Sequence, residues 1–365
     1  MKIVQIEATC ISLPLNTDLN ISGGKYNRAD RVYVKITTDQ GIYGWGEAAP
    51  IPQYAEETME SVKFIIDKYL APLLIGQDPM NLAQIHEQMK VIKGNNFAKA
   101  AIDFACYDIS GKALGVPVYT LLGGKYRDKV AIGQSIGIKS IDHAVEEAHK
   151  YAEEGFQSIK IKIGIDPDHD VKTVGAIRER LPDIPIRVDA NQGYRLEQAI
   201  HALSRMEEYN LLLIEQPVPK WDLDGMAELC RLLRTPILAD ESLYTIHDAV
   251  QLIKHKAADI FNIKIMKPGG LYPSLKIAGM AEAAGIPLSI GSMIEAGVGT
   301  AAGAHFAAAV KYLEYPSDIK GPTLYSDDVL QEPVRIEKGF TYVPDGPGLG
   351  VEVDQEKINH YKVDL

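Results

Sequence analysis

The feature of this sequence that most restricts its fold is a tandem series of short apolar strands, each followed by a helix-patterned stretch, which begins near Val130. Each unit takes roughly 25 residues, the spacing of βα units that build a parallel sheet. Eight such strands in succession favour a closed barrel over an open doubly wound sheet, which would require a glycine-rich phosphate-binding turn that the sequence lacks. The predicted strands cover residues 130–138, 158–163, 186–189, 211–215, 237–240, 260–265, 288–294 and 312–315.

The rest of the chain predicts a smaller α+β part beside this barrel. The first hundred or so residues combine alternating strand patterns at 3–13 and 31–38, a turn at Asp39-Gln40-Gly41, and helical periodicity over 56–70 and 82–115. The last fifty residues have the pattern of loops and a strand that return to this first part. We therefore predict an α/β fold with an α+β capping domain at 1–125, a barrel at 126–320, and a C-terminal segment at 321–365 that returns to the capping domain.

Charge and cysteine content exclude several classes of function. The 365 residues include 38 Lys and Arg and 49 Asp and Glu, a net charge of −11, and nucleic-acid binding depends on neutralising phosphates with basic side chains. Three widely separated cysteines indicate neither a disulfide framework nor a thiolate metal site. The chain begins with an alternating pattern rather than a charged and then apolar signal segment. We expect a cytoplasmic protein that binds neither nucleic acid nor a membrane.

Three consecutive predicted barrel strands end in an acidic residue, at Asp189, Glu215 and Asp240, with spacings of 26 and then 25 residues. Because barrel active sites are built at the carboxyl ends of the strands, these carboxylates are expected to converge. Converging negative charges are costly without a cation, and oxygen ligands suit the octahedral geometry of Mg²⁺. The three acids predict a site for a hard divalent metal, although an acid at a strand end is also a common helix N-cap.

Lysines in two other predicted strands supply candidate acid–base groups. Lys160 and Lys162 alternate in one strand, and Lys264 lies in another that is four strands away in a ring of eight. In an antiparallel sheet such lysines would form a solvated face, but in a parallel barrel they must point inward, close to the acids. A substrate would then have an amine on either side. Partial burial and a neighbouring cation would lower the pKa of a lysine enough for it to act as a base near neutral pH.

These residue types together predict proton transfer at the carbon next to a carboxylate. A divalent metal on the carboxylate would make the α-proton more acidic, because it stabilises the enediolate that proton loss creates. One lysine would take the proton and the other would return it. Bases on both faces favour inversion at the α-carbon, whereas a β leaving group would lead to elimination and an internal nucleophile to cycloisomerisation.

The pattern K-x-K, D, E, D and K resembles that of the enolase superfamily, and within it the muconate-lactonizing-enzyme subgroup. The resemblance covers the whole chain and includes Gly44-Trp45-Gly46-Glu47, Ala100-Ala101-Ile102-Asp103 and Gly123-Gly124. It implies a (β/α)7β TIM-like barrel and Mg²⁺, with Mn²⁺ as an alternative. By this resemblance the metal ligands are Asp189, Glu215 and Asp240, the acid–base residues Lys162 and Lys264, and the supporting residues Lys160, Asn191 and Glu241.

Substrate choice in this family depends on two capping-domain loops, here 21–26 and 51–55, and on the eighth strand, here 317–322. Dipeptide epimerases of the family carry D-x-D in that strand, whereas this chain has Asp318-Ile319-Lys320. The stretches 22–25 and 94–103 resemble the proline betaine epimerase and hydroxyproline dehydratase branch, in which Tyr54 would face an ammonium group as a cation–π partner. The substrate-binding residues expected from this resemblance are Tyr26, Tyr54, Glu295, Asp318 and Lys320.

We therefore expect a Mg²⁺-dependent racemase or epimerase of an amino-acid derivative, an isomerase of the enolase superfamily. Muconate cycloisomerisation and β-elimination from a hydroxyproline-like substrate are the enzymatic alternatives, and a metal-free binding protein on the same barrel is the non-enzymatic one. The predicted seventh strand has no His, which disfavours the mandelate-racemase subgroup, and we interpret His255 and His305 as structural. The expected partners are a small-molecule carboxylate and further copies of this chain in an even-numbered homo-oligomer.

Overall fold

The computed structural model describes residues 1–21, 24–52 and 54–365, with side chains described outside 17–26. The capping domain begins with an antiparallel sheet in the order β1 (Ile3–Ile21), β2 (Gly24–Thr38) and β3 (Tyr43–Ala48). Gly41, with φ of +74°, forms the turn between β2 and β3, and its amide donates to the carbonyl of Thr38 at 3.0 Å. This turn lies where the sequence predicts it.

The helices of the capping domain are α1 (Met59–Ile65), α2 (Ala71–Leu74), α3 (Leu82–Met89), α4 (Asn96–Leu114) and α5 (Val118–Leu121). Three of them, α1, α2 and α4, pack against this sheet, and α3 and α5 pack on α4. A π-helical turn at Ile66–Leu70 joins α1 to α2. The predicted helical stretch 82–115 is interrupted, because Gly94 and Asn95 have φ of +60° and +53° and no left-handed residue continues a right-handed helix.

Two short strands stand where the sequence predicts one strand at 130–138: β4 (Lys129–Ala131) and β5 (Gln134–Ile136). Gly133 separates them, and a side chain at this glycine would overlap Nη2 of Arg187 and Oγ of Ser158. β5 joins the barrel sheet, whereas β4 pairs with a strand from the C-terminal segment. The prediction of one continuous strand is therefore wrong here.

The barrel sheet is parallel, and its strands are neighbours in chain order. After β5 the strands are β6 (Ile159–Lys162), β7 (Ile186–Asp189), β8 (Leu213–Glu215), β9 (Ile237–Ala239), β10 (Ile260–Ile263) and β11 (Leu288–Ile290). The segment 312–318 closes the ring, because Leu313 forms a parallel bridge with Leu288 and Ser317 forms one with Ile132. This closure confirms the predicted (β/α)7β barrel with its capping domain.

Helices cover the outside of the barrel between successive strands. Helix α8 buries Ala199, Ala202, Leu203 and Met206, the i, i+3, i+4 and i+7 spacing that places one face on the sheet. The barrel helices are α6 (Ile141–Glu153), α7 (Pro167–Arg180), α8 (Leu196–Met206), α9 (Leu223–Leu232), α10 (Ile246–His255), α11 (Leu271–Ala284) and α12 (Gly297–Ala309).

The C-terminal segment contacts both parts of the molecule. The hairpin of β12 (Ile336–Glu337) and β13 (Phe340–Tyr342) extends the sheet of β4. Helix α13 (Gln355–Tyr361) packs on β1, and the amide of Val363 donates to the carbonyl of Cys10 at 3.0 Å. Among the described residues, no helix is both long enough and apolar enough to span a bilayer.

Candidate active site

Three acidic side chains meet inside the mouth of the barrel, at the carboxyl ends of β7, β8 and β9. Asp189 lies in register with Glu215, and Asp240 directly follows β9. Each of the three is 1 % exposed, so the group is desolvated. Because the three strands are neighbours in the sheet, their carboxyl ends bring these acids together.

Lysines flank the acids from the strands on either side. Nζ of Lys162, on β6, lies 2.6 Å from Oδ2 of Asp189, and Nζ of Lys264, after β10, lies 2.7 Å from Oδ2 of Asp240. Their side chains are 30 % and 16 % exposed, against 6 % for Lys160. The amines of Lys162 and Lys264 therefore face the open mouth, while Lys160 is enclosed.

The carboxylates raise the pKa values of these lysines. Burial alone would lower each pKa, but the neighbouring negative charges outweigh it. Asp189 is the largest opposing influence on Lys162, and Asp240 on Lys264. The expectation of lowered lysine pKa values concerns a site that also holds a cation, so it stays a prediction; with a carboxylate as its partner, each amine has a raised pKa.

The middle acid differs from its two neighbours in its electrostatics. Burial raises the pKa of Glu215 to about 7, and the charge of Asp189 adds to this effect. Burial also acts to raise the pKa values of Asp189 and Asp240, but the adjacent lysine ammonium groups outweigh it and lower both. Glu215 is therefore the least neutralised of the three acids. Its ionised form would gain most from an additional positive charge in the site.

The donor set suits a hard divalent cation, although no three His, Cys, Asp or Glu side chains of the described residues already stand in an arrangement that would hold a metal. Carboxylate oxygens from three neighbouring strands are ligands that Mg²⁺ prefers. Among the described atoms, Oε2 of Glu241 is buried without a hydrogen-bond partner, and Oδ2 of Asp240 has only its ion pair with Nζ of Lys264. Acceptor oxygens thus remain in the site, while the ammonium groups of Lys162 and Lys264 neutralise the outer two acids.

Asn191 links a lysine to a fourth carboxylate, which lies beside the three acids. Its backbone amide donates to Oδ1 of Asp189 at 2.9 Å, and its side-chain oxygen accepts from Nζ of Lys162 at 2.5 Å. Its side-chain nitrogen donates to Oε1 of Glu241 at 3.0 Å. Asn191 has φ of +41°, a left-handed conformation in which Asn is over-represented. Two of the three predicted supporting residues, Asn191 and Glu241, therefore lie at the edge of the acidic group, and the third, Lys160, is enclosed beside Glu215.

Two polar side chains in the site were not identified from the sequence. Asn262 points inward from β10 and donates to Oε1 of Glu215 at 3.1 Å. Nζ of Lys267 lies 2.6 Å from Oδ1 of Asp240, and the side chain is 2 % exposed. Alternation along β10 identifies Asn262 in retrospect, because it stands two residues before Lys264. Lys267 lies in the loop after β10, where no periodicity predicts the direction of a side chain.

Asp318 and Lys320, the substrate-binding residues predicted at the position of the eighth strand, lie inside the barrel beside Lys160. Asp318 is 2.6 Å from Nζ of Lys160 and 2.8 Å from Nη2 of Arg187. Nζ of Lys320 lies 3.7 Å from Oδ1 of Asp318 and donates to the carbonyl of Gly133. Burial lowers the pKa of Lys320 to about 7, since Asp318 offsets it only in part.

The other predicted substrate-binding residues lie nearer the capping domain. The carbonyl of Tyr54 accepts from the hydroxyl of Tyr244 at 2.8 Å, which ties the 51–55 loop to the barrel. The carboxylate of Glu295 accepts from the amide of Met293 at 2.9 Å and is 3 % exposed. The side chain of Tyr26 lies outside the described residues.

Comparison with known proteins gives matches along the whole chain. The family model described as Mandelate racemase / muconate lactonizing enzyme, N-terminal domain, matches residues 5–123, and the model described as Enolase C-terminal domain-like matches residues 143–357. An N-succinyl-L-Arg/Lys racemase from Bacillus cereus is 39% identical over 100% of this chain and 98% of its own length. An L-Ala-D/L-Glu epimerase from Bacillus subtilis is 36% identical over 96% and 97%. The structure of muconate lactonizing enzyme from Pseudomonas fluorescens, complexed with muconolactone, matches with a TM-score of 0.96 and 34% identity over 99% of each chain.

Proposed function

Because the chain belongs to the mandelate racemase / muconate lactonizing enzyme family and is an isomerase of the enolase superfamily, we propose that it racemises or epimerises an N-acylated amino-acid derivative. The reaction is removal and return of the proton on the carbon next to the substrate carboxylate. One observation carries the proposal. The amines of Lys162 and Lys264 approach the acidic group from strands on opposite sides of it.

In this proposal Asp189, Glu215 and Asp240 hold Mg²⁺, with Mn²⁺ as the alternative. When bound, the ion supplies positive charge beside the substrate carboxylate and stabilises the negative charge left when the α-proton departs. The hydrogen bonds from Asn191 to Asp189 and from Asn262 to Glu215 fix the orientation of two of the carboxylates.

Lys162 and Lys264 act as the two acid–base groups, one on each face of the α-carbon. A lysine accepts a proton only as the neutral amine, and Asp189 and Asp240 hold the pKa values of these two lysines up. Once the carboxylates are shared with a cation, this influence weakens, while burial continues to favour the neutral amine. Lys160 remains enclosed between Glu215 and Asp318 and keeps a positive charge near the substrate carboxylate.

The relatives support an amino-acid derivative as the substrate. The names of the Bacillus cereus racemase and the Bacillus subtilis epimerase both specify an amino acid with an acylated nitrogen. Lactonisation of muconate is the second candidate, favoured by the match to the Pseudomonas fluorescens enzyme over 99% of both chains. Both reactions use the same acids, but only racemisation needs a base on each face of the same carbon.

Hydrogen exchange at the α-carbon separates the two candidates. The purified protein is incubated with Mg²⁺ in D₂O, together with N-succinyl amino acids, dipeptides or cis,cis-muconate. Proton NMR follows the α-proton and muconate signals, and chiral chromatography follows the configuration of the amino acid. Loss of the α-proton signal together with formation of the opposite enantiomer supports the proposal. Consumption of muconate with no exchange in any amino-acid derivative overturns it in favour of the second candidate.

A further inference from the structure

A capping-domain acid reaches the start of a barrel helix at Glu47, within the Gly44-Trp45-Gly46-Glu47 stretch of β3. Its Oε1 accepts from the amide of Ala296 at 2.6 Å, and its Oε2 accepts from the amide of Gly299 at 2.7 Å. The side chain is 0 % exposed. Burial raises the pKa of Glu47 to about 7, although Arg31 and the bonded amides act to lower it. Two directed hydrogen bonds therefore join β3 to the N-terminus of α12.

A second capping-domain acid makes the same kind of contact. Asp103, in α4, accepts from the amide of Leu271 at 2.6 Å through Oδ1 and from the amide of Tyr272 at 3.3 Å through Oδ2. It is 0 % exposed. Gly270 precedes this helix with φ of +124°, and a Cβ there would lie 2.3 Å from Cγ of Asp103. The chain is thus shaped to bring α4 against the N-terminus of α11.

The two acids belong to one packed unit of the capping domain. A Cβ on Gly46 would lie 1.7 Å from the carbonyl oxygen of Ala101, and one on Gly44 would lie 2.3 Å from that of Ala105. Strand β3 and helix α4 therefore touch backbone to backbone, as only glycine permits. A movement of Glu47 away from α12 would carry Asp103 with it.

The two barrel helices follow loops that border Lys264. Lys264 and Lys267 lie in the loop between β10 and α11. Gly291 begins the loop between β11 and α12, and a Cβ at this glycine would lie 2.7 Å from Cγ of Lys264. The stem of Lys264 is therefore enclosed by both loops that the capping-domain acids hold.

The loop before α12 is held in a strained conformation. Ile294 has φ of +51°, which is a true outlier for a β-branched residue and persists only where the surroundings impose it. Its carbonyl accepts from Nη2 of Arg31 at 2.6 Å and from the hydroxyl of Tyr325 at 2.5 Å. Arg31 belongs to β2, so the capping domain also fixes this point of the barrel.

We propose that Glu47 and Asp103 are positioning residues that dock the capping domain on the N-termini of α12 and α11 and thereby fix the two loops around Lys264. Neither acid touches the substrate. Loss of an ordinary helix cap would loosen only the helix that it caps. Because Glu47 and Asp103 belong to one packed unit, loss of either is expected to loosen both α11 and α12. The kinetic consequence rests on the proposed function, but the docking itself does not.

Hydrogen exchange of the full chain, followed by mass spectrometry, tests this coupling in Glu47→Gln and Asp103→Asn variants. Each substitution leaves a single acceptor oxygen for two backbone N–H donors, so one amide loses its partner. Asp103→Asn also changes the contact of Oδ2 with Nε2 of His86, which lies at 2.7 Å within the capping domain. We expect each variant to speed exchange by about 10-fold or more at both helix starts, residues 271–274 and 296–300, because local opening follows the loss of docking. We also expect kcat to fall by about 10-fold or more, since small displacements of a catalytic group are costly.

Asp222→Ala, which removes the acceptor of one backbone amide, is the matched control. Asp222 caps α9 within the barrel, where its Oδ1 accepts from the amide of Gly225 at 2.9 Å, and it makes no bridge to the capping domain in the described contacts. Its substitution should speed exchange in α9 alone and leave kcat unchanged. Faster exchange in Glu47→Gln and Asp103→Asn confined to the substituted contact, with kcat unchanged, overturns the proposal.

Two further measurements distinguish failure of the proposed function from failure of the docking proposal. A wild-type protein that turns over none of the candidate substrates contradicts the proposed function, while the exchange data still decide whether the acids act together. Tyr325→Phe removes one donor from the carbonyl of Ile294 and tests the same loop if Glu47→Gln does not fold. Faster exchange at residues 292–296 in this variant supports the docking, and unchanged exchange there counts against it.

Discussion

Nζ of Lys267 lies 2.6 Å from Oδ1 of Asp240 and also donates to the backbone carbonyl of the same residue. The two side chains are 2 % and 1 % exposed, so the pair is removed from solvent. Burial would raise the pKa of Asp240, but the ammonium groups of Lys264 and Lys267 outweigh it and lower the pKa. Lys267 therefore keeps Asp240 ionised and fixes the direction of its carboxylate.

Replacing Lys267 with Met is expected to lower the free energy of unfolding by about 2 kcal/mol, because it removes a charge-assisted hydrogen bond from the buried carboxylate of Asp240 and leaves Lys264 as its remaining ammonium partner. Urea denaturation of the metal-free protein at neutral pH measures the change. Lys90→Met is the control, since the pair of Lys90 with Glu87 is exposed and should add nothing measurable. Equal stability of the Lys267→Met variant and the wild type would show that the pair does not stabilise the fold.

Removal of either proposed base is expected to slow racemisation strongly but to spare exchange of the α-proton in one of the two enantiomers. Lys162→Ala and Lys264→Ala should each slow racemisation by about 10²- to 10⁴-fold, the usual contribution of a general base. Because the two amines approach from opposite sides, each variant should still exchange the α-proton of one enantiomer, and the two variants should retain opposite enantiomers. Proton NMR in D₂O with each pure enantiomer measures this. Retention of the same enantiomer by both variants would contradict the assignment.

The barrel and the acids follow from the sequence because periodicity and strand ends are local properties. Asp189, Glu215 and Asp240 each follow a short apolar run, and the topology of a parallel barrel then brings their side chains together. Lys160 and Lys162 are likewise placed by alternation in β6. Strand alternation and strand ends were sufficient to predict a side chain's place in the site wherever that place depends only on the residue's own strand.

The remaining parts of the site depend on contacts that no local pattern encodes. Arg187 occupies the space beside Gly133, and this long-range contact divides the predicted first strand into β4 and β5. Lys267 lies in an irregular loop, so its contact with Asp240 is set by tertiary structure. The direction in which the pKa of Lys162 shifts also depends on the distance to Asp189 rather than on burial alone, and no local pattern encodes that distance.

Replacement of Lys320 with Met is expected to stabilise the protein near neutral pH. The folded pKa of about 7 lies below the usual 10.5, so the unfolded chain binds more protons and the folded state is penalised most at pH values below 7. A shift of this size corresponds to roughly 5 kcal/mol, against about 1–3 kcal/mol for leaving the carbonyl of Gly133 without its donor. The net gain should be about 2–4 kcal/mol.

Urea denaturation at pH 6, 8 and 10 checks the Lys320→Met prediction. The advantage of the variant should shrink as the pH rises from 7 toward 10.5, because the amine of the unfolded wild type then also loses its proton. A variant that is destabilised by the same amount at every pH would show that Lys320 is favourable in its buried position. A stabilised variant with lower activity would indicate that the lysine is retained for its function.

His305 is expected to make the protein sensitive to acid through its burial. Its Nδ1 accepts from the amide of Tyr119 at 3.2 Å and its Nε2 donates to the carbonyl of Leu349 at 3.0 Å, which requires the neutral imidazole. Burial lowers the pKa of His305 from 6.5 to about 4. The unfolded chain takes up a proton below pH 6.5 and the folded chain does so only near pH 4. Its stabilising contribution is therefore complete above pH 6.5 and is lost progressively as the pH falls toward 4.

His305→Gln removes this titration while it retains one donor and one acceptor in the side chain. Between pH 7 and 4.5 the wild type should lose about 3 kcal/mol of unfolding free energy relative to this variant, since each pKa unit corresponds to about 1.4 kcal/mol. Urea denaturation at pH 7, 6, 5 and 4.5 provides the comparison. His255→Gln serves as the control, because that side chain is 42 % exposed and should leave the pH profile of the wild type unchanged. Parallel curves for the wild type and His305→Gln would mean that another group accounts for the loss of stability in acid.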